Sequence, residues 1–207
     1  MTSTNQIGGF VLAGGQSSRM GKDKALLHVD GEAILLRTVR LVHLAAHTVT
    51  VVGNPDAYID LAIHAVGDDW PGFGPLGGIA TALVASKVSW NLVVACDLPY
   101  LTEAWLKYLA ARALASQADA VIPMNDRGAE PLCAAYHKRC EPAIRAELER
   151  GVRKVTDGLR GIVLEMVQPR EWKAFDSDGY LFKNMNSPAD YEEATRKLAK
   201  RESSKGA

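Results

Sequence analysis

The segment "WNLVVAC" at 90–96 is apolar at nearly every position, including the alternate positions that would face water on a half-exposed strand. Such a run is buried on both faces, which requires helices above and below it and is characteristic of parallel sheets. Similar apolar, β-branched runs recur as "GGFVLA" (8–13), "TVTVVG" (48–53), "AIHAV" (62–66), "DAVIP" (119–123), "PLCAAYH" (131–137) and "GIVLEMV" (161–167). Between them, 31–46 and 102–117 repeat apolar residues at helical spacing. In the second, Trp105, Leu106, Leu109, Ala113 and Leu114 fall near one face, and Thr102 followed by Glu103 marks the helix start. This alternation predicts an α/β fold: a single Rossmann-like domain with a mainly parallel sheet flanked by helices on both faces. The domain is expected to occupy 1–200, with 201–207 as a flexible, charged C-terminal tail.

A chain of 207 residues, 47% hydrophobic and 23% charged, can bury one core of that kind. Its formal net charge of zero removes the broad basic field of a nucleic-acid binder, while leaving room for a local cationic pocket. No apolar run approaches the ~20 residues needed to cross a bilayer, and "MTSTNQIGG" lacks the cationic flank and apolar stretch of a secretory signal. Neither nucleic acid nor membrane is therefore an expected partner, and the expected location is cytoplasmic. The three cysteines, Cys96, Cys133 and Cys140, form no C-x-x-C pair, which suits a reducing compartment. A Cys133–Cys140 disulfide stays open as an alternative.

Sheets of this class bind ligands beyond the C-terminal ends of their strands, and that is where the unusual residues fall. The first strand runs into "GGQSSRMGKDK", whose glycines let backbone N–H groups approach an anion while Arg19, Lys22 and Lys24 supply positive charge. The segment fits neither the Walker A spacing nor the dinucleotide fingerprint, and an ordinary turn with surface bases is the competing reading. "GDDWPGFGPLGG" forms a long loop ahead of a helical pattern, with the alternative of a plain connector and a helix starting at Gly77 or Gly78. Asp97, at the end of the "WNLVVAC" strand, is placed to hold Mg2+ together with substrate phosphates, or else to cap the next helix. In "FKNMNSPADYEEA", Asn184 and Asn186 alternate along an extended segment and share one side; they face either a ligand or the cap of a helix with Pro188 in its first turn. Glu130, Arg153 and Lys154 read as solvated surface on composition alone. The five histidines show no ligand spacing.

Together "LAGGQSSRMGKDKALL", "DDWPGFGPLGGIATAL", "ACDLPYL", "EPLCAAY" and "NMNSPADYEEA" resemble, in order and over nearly the whole chain, the molybdenum cofactor guanylyltransferases of the nucleotidyltransferase superfamily. The resemblance implies an enzyme that uses GTP and Mg2+ to convert molybdopterin into its guanine dinucleotide. It implies that Leu12, Ala13, Gly14 and Gly15 meet the nucleotide through backbone, that Arg19 and Lys24 meet its phosphates, and that Asp68 lies near the nucleoside. It implies Asp97 as the metal ligand, Asn54 and Gly77 as further nucleotide positions, and Arg153, Asn184 and Asn186 on the pterin or metal side. Molybdoenzymes or their chaperones are implied as transient partners. Where the family continues N-x-N with threonine and proline, this chain has Ser187 and Pro188, and the "EPL" segment varies, so no role follows for Glu130. The readings that compete are a cytidylyltransferase, whose relatives begin "LAAG" and lack "GPLGG", a sugar-phosphate nucleotidyltransferase, and a catalytically silent nucleotide- or cofactor-binding protein.

Overall fold

The computed structural model describes residues 6–14 and 24–203. Strand β1 (Ile7–Leu12) lies at the centre of an eight-stranded sheet. After it come a short hairpin, β2 (His28–Val29) and β3 (Glu32–Ala33), then helix α1 (Ile34–His43) and β4 (Thr48–Val52). The chain continues through β5 (Ala65–Val66), α2 (Pro75–Ala85), β6 (Trp90–Ala95), α3 (Glu103–Ala115), β7 (Ala120–Asn125), β8 (Gly128–Ala129) and β9 (Cys133–His137). It ends with α4 (Glu141–Glu149), α5 (Val155–Gly158), β10 (Leu164–Val167), α6 (Pro169–Trp172) and α7 (Pro188–Ser203).

The sheet order is β10-β7-β9-β6-β1-β4-β5, with β8 paired to β7. Strands β5, β4, β1 and β6 pair in parallel, as do β7 and β10, and β9 runs antiparallel between β6 and β7. The sheet is thus mainly parallel, as the doubly buried runs require. Core residues from α1 and α3, among them Leu35, Val42, Trp105 and Leu109, pack on one face. Residues from α2, α4 and α5, among them Leu76, Ile79, Leu83, Ile144 and Leu159, pack on the other. Cys96, Cys133 and Cys140 are all buried and free, so no disulfide joins the last two.

Four boundaries differ from the sequence reading. The apolar pattern from 31 onward does not begin as helix, because Asp30 and Gly31 take φ of 55° and 79°. This Asp-Gly pair closes the β2–β3 hairpin before α1 starts. The segment 62–66 contributes only Ala65–Val66 as strand, since a 3-10 helix over Pro55–Leu61 ends with Ala62 in the left-handed region. Helix α2 begins at Pro75 rather than at Gly77 or Gly78. At the C-terminus, α7 runs to Ser203, and Arg201 bonds Asp178 at 2.7 Å and sits over the Tyr100 ring, so ordered helix continues past 200.

Gly77 is buried inside α2, where an added Cβ would lie 2.8 Å from Trp70 Cβ and 2.9 Å from the Trp70 carbonyl oxygen. The second neighbour is backbone and cannot swing aside. Gly77→Ala is therefore expected to destabilise the protein by about 1–3 kcal/mol, read as a lower denaturation midpoint. Gly67→Ala, whose Cβ would meet nothing within 4 Å, should be near neutral. Equal midpoints for the two variants would refute the packing role.

Candidate active site

From β1 the chain crosses α1 to β4 on one side, and from β6 it proceeds to β7 on the other, so the connections diverge between β1 and β6. In an open α/β sheet the crevice at that divergence is where a ligand binds. Leu12, Ala13 and Gly14 leave β1 there, and Cys96 and Asp97 leave β6. The two strand ends are tied by a hydrogen bond from the Cys96 N–H to the Leu12 carbonyl at 3.1 Å.

The backbone of this crevice is already heavily committed. Ala13 N–H donates to the Val52 carbonyl at 2.9 Å, and the Ala13 carbonyl accepts from the buried Tyr58 hydroxyl at 2.6 Å. Leu12 turns its side chain toward Gly78. Of Leu12, Ala13 and Gly14, expected to approach the nucleotide through backbone, Gly14 is exposed and its added Cβ would meet no atom within 4 Å. Gly15 and Arg19 lie outside the described residues.

Asp97 does not cap the following helix; Thr102 does, accepting from Trp105 N–H at 3.3 Å. Asp97 Oδ2 instead accepts from Asn184 Nδ2 at 3.5 Å, and Asp97 Oδ1 is buried with no hydrogen-bond partner among the described residues. Burial pushes the Asp97 carboxyl above its ordinary pKa, while Asn184 and the nearby Lys24 charge pull the other way. A buried carboxylate oxygen without a partner is costly and calls for an occupant.

Lys24 opens a 3-10 turn over Lys24–Leu26 and points across the chain, its Nζ donating to Asn186 Oδ1 at 3.2 Å and to the Met185 carbonyl at 3.5 Å. The Met185 N–H in turn donates to the Asp97 carbonyl at 2.8 Å. Lys24, Asp97, Asn184 and Asn186 thus form one constellation, the two asparagines serving its opposite members. They are released from capping because Ser187 and Asp190 exchange hydrogen bonds at the start of α7, the Ser187 hydroxyl donating to Asp190 Oδ2 at 2.7 Å. The segment is clamped on both sides. Leu181 and Phe182 enter the sheet core beside Trp105 and Trp172, and Met185 packs with Val29, Tyr100 and Leu198.

The remaining expected residues lie on the α2 side. Asp68 Oδ1 accepts from Trp70 N–H at 2.9 Å and from the Thr81 hydroxyl at 3.0 Å, so one carboxylate oxygen builds the turn before α2. Asn54 caps the Pro55–Leu61 helix, accepting from Asp56 N–H at 3.2 Å. Gly77 is filled by Trp70, which gives it a packing role. Arg153 stacks over the Phe73 ring at 5.5 Å, which puts it on the 67–74 loop instead of beside the asparagines.

Two clefts open near the constellation. One, of about 220 Å³, is lined by Leu98, Glu130, Leu132, Lys154, Thr156 and Asn184, among others, and so reaches Asp97 through Asn184. The larger, about 440 Å³, is lined by Asn125, Arg127, Trp172 and Lys173 and touches neither Asp97 nor Lys24. Glu130 was read as solvated surface with no assigned role. Its Oε1 accepts from Asn125 Nδ2, and burial raises its pKa, with the Asp97 charge adding to the rise. Sequence order separates Glu130 from Asp97, and only the antiparallel β9 beside β6 brings them close.

Comparison with known proteins shows the family. A probable molybdenum cofactor guanylyltransferase of Trichormus variabilis is 34% identical over 195 residues, covering 90% of this chain and 89% of the relative. One from Pelotomaculum thermopropionicum is 32% identical over 186 residues, covering 89% and 90%. The crystal structure of molybdopterin-guanine dinucleotide biosynthesis protein A from Archaeoglobus fulgidus superposes with a TM-score of 0.81 at 24% identity, covering 93% of this chain and 99% of that one. Residues 9–163 match the MobA-like NTP transferase domain, and the chain belongs to that family.

Proposed function

We propose that the protein transfers GMP from GTP to molybdopterin, giving molybdopterin guanine dinucleotide and pyrophosphate, with Asp97 and Lys24 at the reacting phosphates. The observation that carries the reading is the buried, unpartnered Asp97 Oδ1 at the sheet's divergence point, with Lys24 held beside it. Family membership supports the choice of substrates: the relatives from Trichormus variabilis and Pelotomaculum thermopropionicum are named probable molybdenum cofactor guanylyltransferases.

The residues present fit a divalent cation of the Mg2+ type. No group of three or more metal-ligating His, Cys, Asp or Glu side chains occurs among the described residues. One hard carboxylate with a free oxygen, leaving the other positions to substrate phosphates and water, is the usual arrangement for Mg2+. When bound, Mg2+ neutralises phosphate charge at the reacting phosphorus.

The terminal phosphate oxygen of molybdopterin is already an anion and needs no protein base. It forms a bond to the α-phosphorus of GTP as the bond to the bridging oxygen breaks, and pyrophosphate leaves with the electron pair. The protein's task is positioning and electrostatics. Lys24, fixed by Asn186 and the Met185 carbonyl, supplies positive charge toward the leaving pyrophosphate. Gly14 leaves space for phosphate at the β1 end, and Asn184 orients Asp97. Arg153, on the loop that carries Asp68, serves the nucleotide rather than the pterin.

The test is pyrophosphate release from molybdopterin and Mg2+ with GTP, CTP or ATP in parallel. Release with GTP at a rate at least ~10-fold above CTP and ATP is expected, since a site built for one base's hydrogen bonds rejects another strongly. Release with CTP instead would make the protein a cytidylyltransferase. Nucleotide binding without any release would make it a silent binder.

A further inference from the structure

The 220 Å³ cleft contains one carboxylate, Glu130, beside the apolar Leu98, Ala129, Pro131, Leu132 and Val155. Lys154, Thr156 and Asn184 are the other side-chain polar groups that line it. Glu130 is held firmly: its N–H donates to the Pro123 carbonyl at 2.8 Å and its carbonyl accepts from Cys133 N–H at 3.2 Å. Its Oε1 takes the Asn125 amide, and its Oε2 has no hydrogen-bond partner among the described residues. No ion pair joins Glu130 to a described cation, although Arg127 lowers its pKa at a distance.

A fixed, half-buried carboxylate repels phosphate, so it is misplaced in a site for phosphates alone. It suits a ligand edge that presents N–H donors side by side, because a carboxylate accepts two parallel hydrogen bonds. Apolar walls with a few fixed polar groups suit a flat heterocycle. The cleft also reaches the chemistry, since Asn184 lines it and touches Asp97, so a ligand seated there has one end at the reacting phosphorus.

We propose that Glu130 is a specificity-determining residue for the acceptor, its carboxylate taking the ring N–H and amino group of a 2-amino-4-oxopyrimidine edge seated in this cleft. The proposal rests on molybdopterin being the acceptor. Guanine carries the same edge, so the nucleotide is the other source of this chemistry. The residues on the nucleotide side, Gly14 and Asp68, do not line the cleft, which assigns it to the pterin.

Glu130→Gln replaces one acceptor oxygen with a donor. It should raise KM for molybdopterin at least ~10-fold while KM for GTP stays within about twofold, the loss expected for a charge-assisted hydrogen bond. Glu130→Asp, which keeps the charge, should recover part of the difference. Binding is read independently by the fluorescence of 6-hydroxymethylpterin, without GTP, on the wild-type protein. Its 2-desamino analogue should bind at least ~10-fold more weakly, and this arm needs no variant to fold. Equal binding of the two pterins, or an unchanged molybdopterin KM in Glu130→Gln, overturns the proposal. A rise confined to KM for GTP moves Glu130 to the guanine and overturns it too. Failure of the wild-type protein to release pyrophosphate would instead strike the reading of the reaction itself.

Discussion

Asp97→Asn is expected to lower kcat at least ~10³-fold and to raise the melting temperature. The first effect follows from losing the carboxylate that anchors the cation: stabilisation of phosphate charge in a dry site amounts to several kcal/mol, and an amide binds Mg2+ weakly. The second follows from burial. The folded-state pKa of Asp97 lies above the ordinary 3.8, so its protonated form favours the fold. That contribution is complete below the unfolded pKa and is lost as pH rises through the folded one, so at neutral pH the ionised carboxylate weakens the structure. Asparagine has similar shape and no charge, and without divalent cation it should melt higher than the wild type at pH 7. The gap should close as pH falls below the ordinary carboxylate range. Turnover within about tenfold of the wild type would remove Asp97 from the metal role, and a lower melting temperature would show that its buried charge does not weaken the fold.

Lys24→Met should cost about 2 kcal/mol of transition-state stabilisation, a fall of roughly 30-fold in kcat/KM for GTP, comparable to removing one preorganised donor. Methionine keeps much of the apolar stem, and the lost partner, Asn186, is exposed. The melting temperature should therefore shift by less than about 2 °C, as for other surface substitutions. A kcat/KM within threefold of wild type would leave Lys24 as a tether for Asn186 and nothing more.

The sheet was legible because its strands are buried on both faces, and a run such as "NLVVA" has few other ways to fold. The position of Asp97 was legible for the same reason, a lone carboxylate ending an apolar strand, while its alternative role as a cap was settled only by Thr102, which caps the following helix. Other features were hidden by context. The Asp30–Gly31 turn sits inside what reads as continuous helical periodicity. Its two positive φ angles carry the boundary that the hydrophobic pattern does not. Gly77 read as room for a ligand, whereas Trp70, seven residues earlier, folds back to fill the space. Arg153 lies one residue from Lys154, which lines the small cleft, yet it turns to Phe73. Glu130 was given no role because its neighbour Asp97 follows β6, three strands before β9 in the chain and adjacent to it only in the sheet, and composition assigns an isolated glutamate to solvent.

The link between Lys24 and Asn186 joins residues 162 apart in sequence. The matched transferase segment ends at residue 163, so the asparagines that complete the constellation come from beyond it. Closing so long a loop is entropically unfavourable until the intervening sheet has brought its ends together. During synthesis, the growing polypeptide can pair β1 with β4 and β6 well before Asn186 leaves the ribosome. The Lys24–Asn186 link is therefore among the last contacts this chain can make, and a nascent or C-terminally clipped molecule would carry a folded sheet with that constellation unfinished.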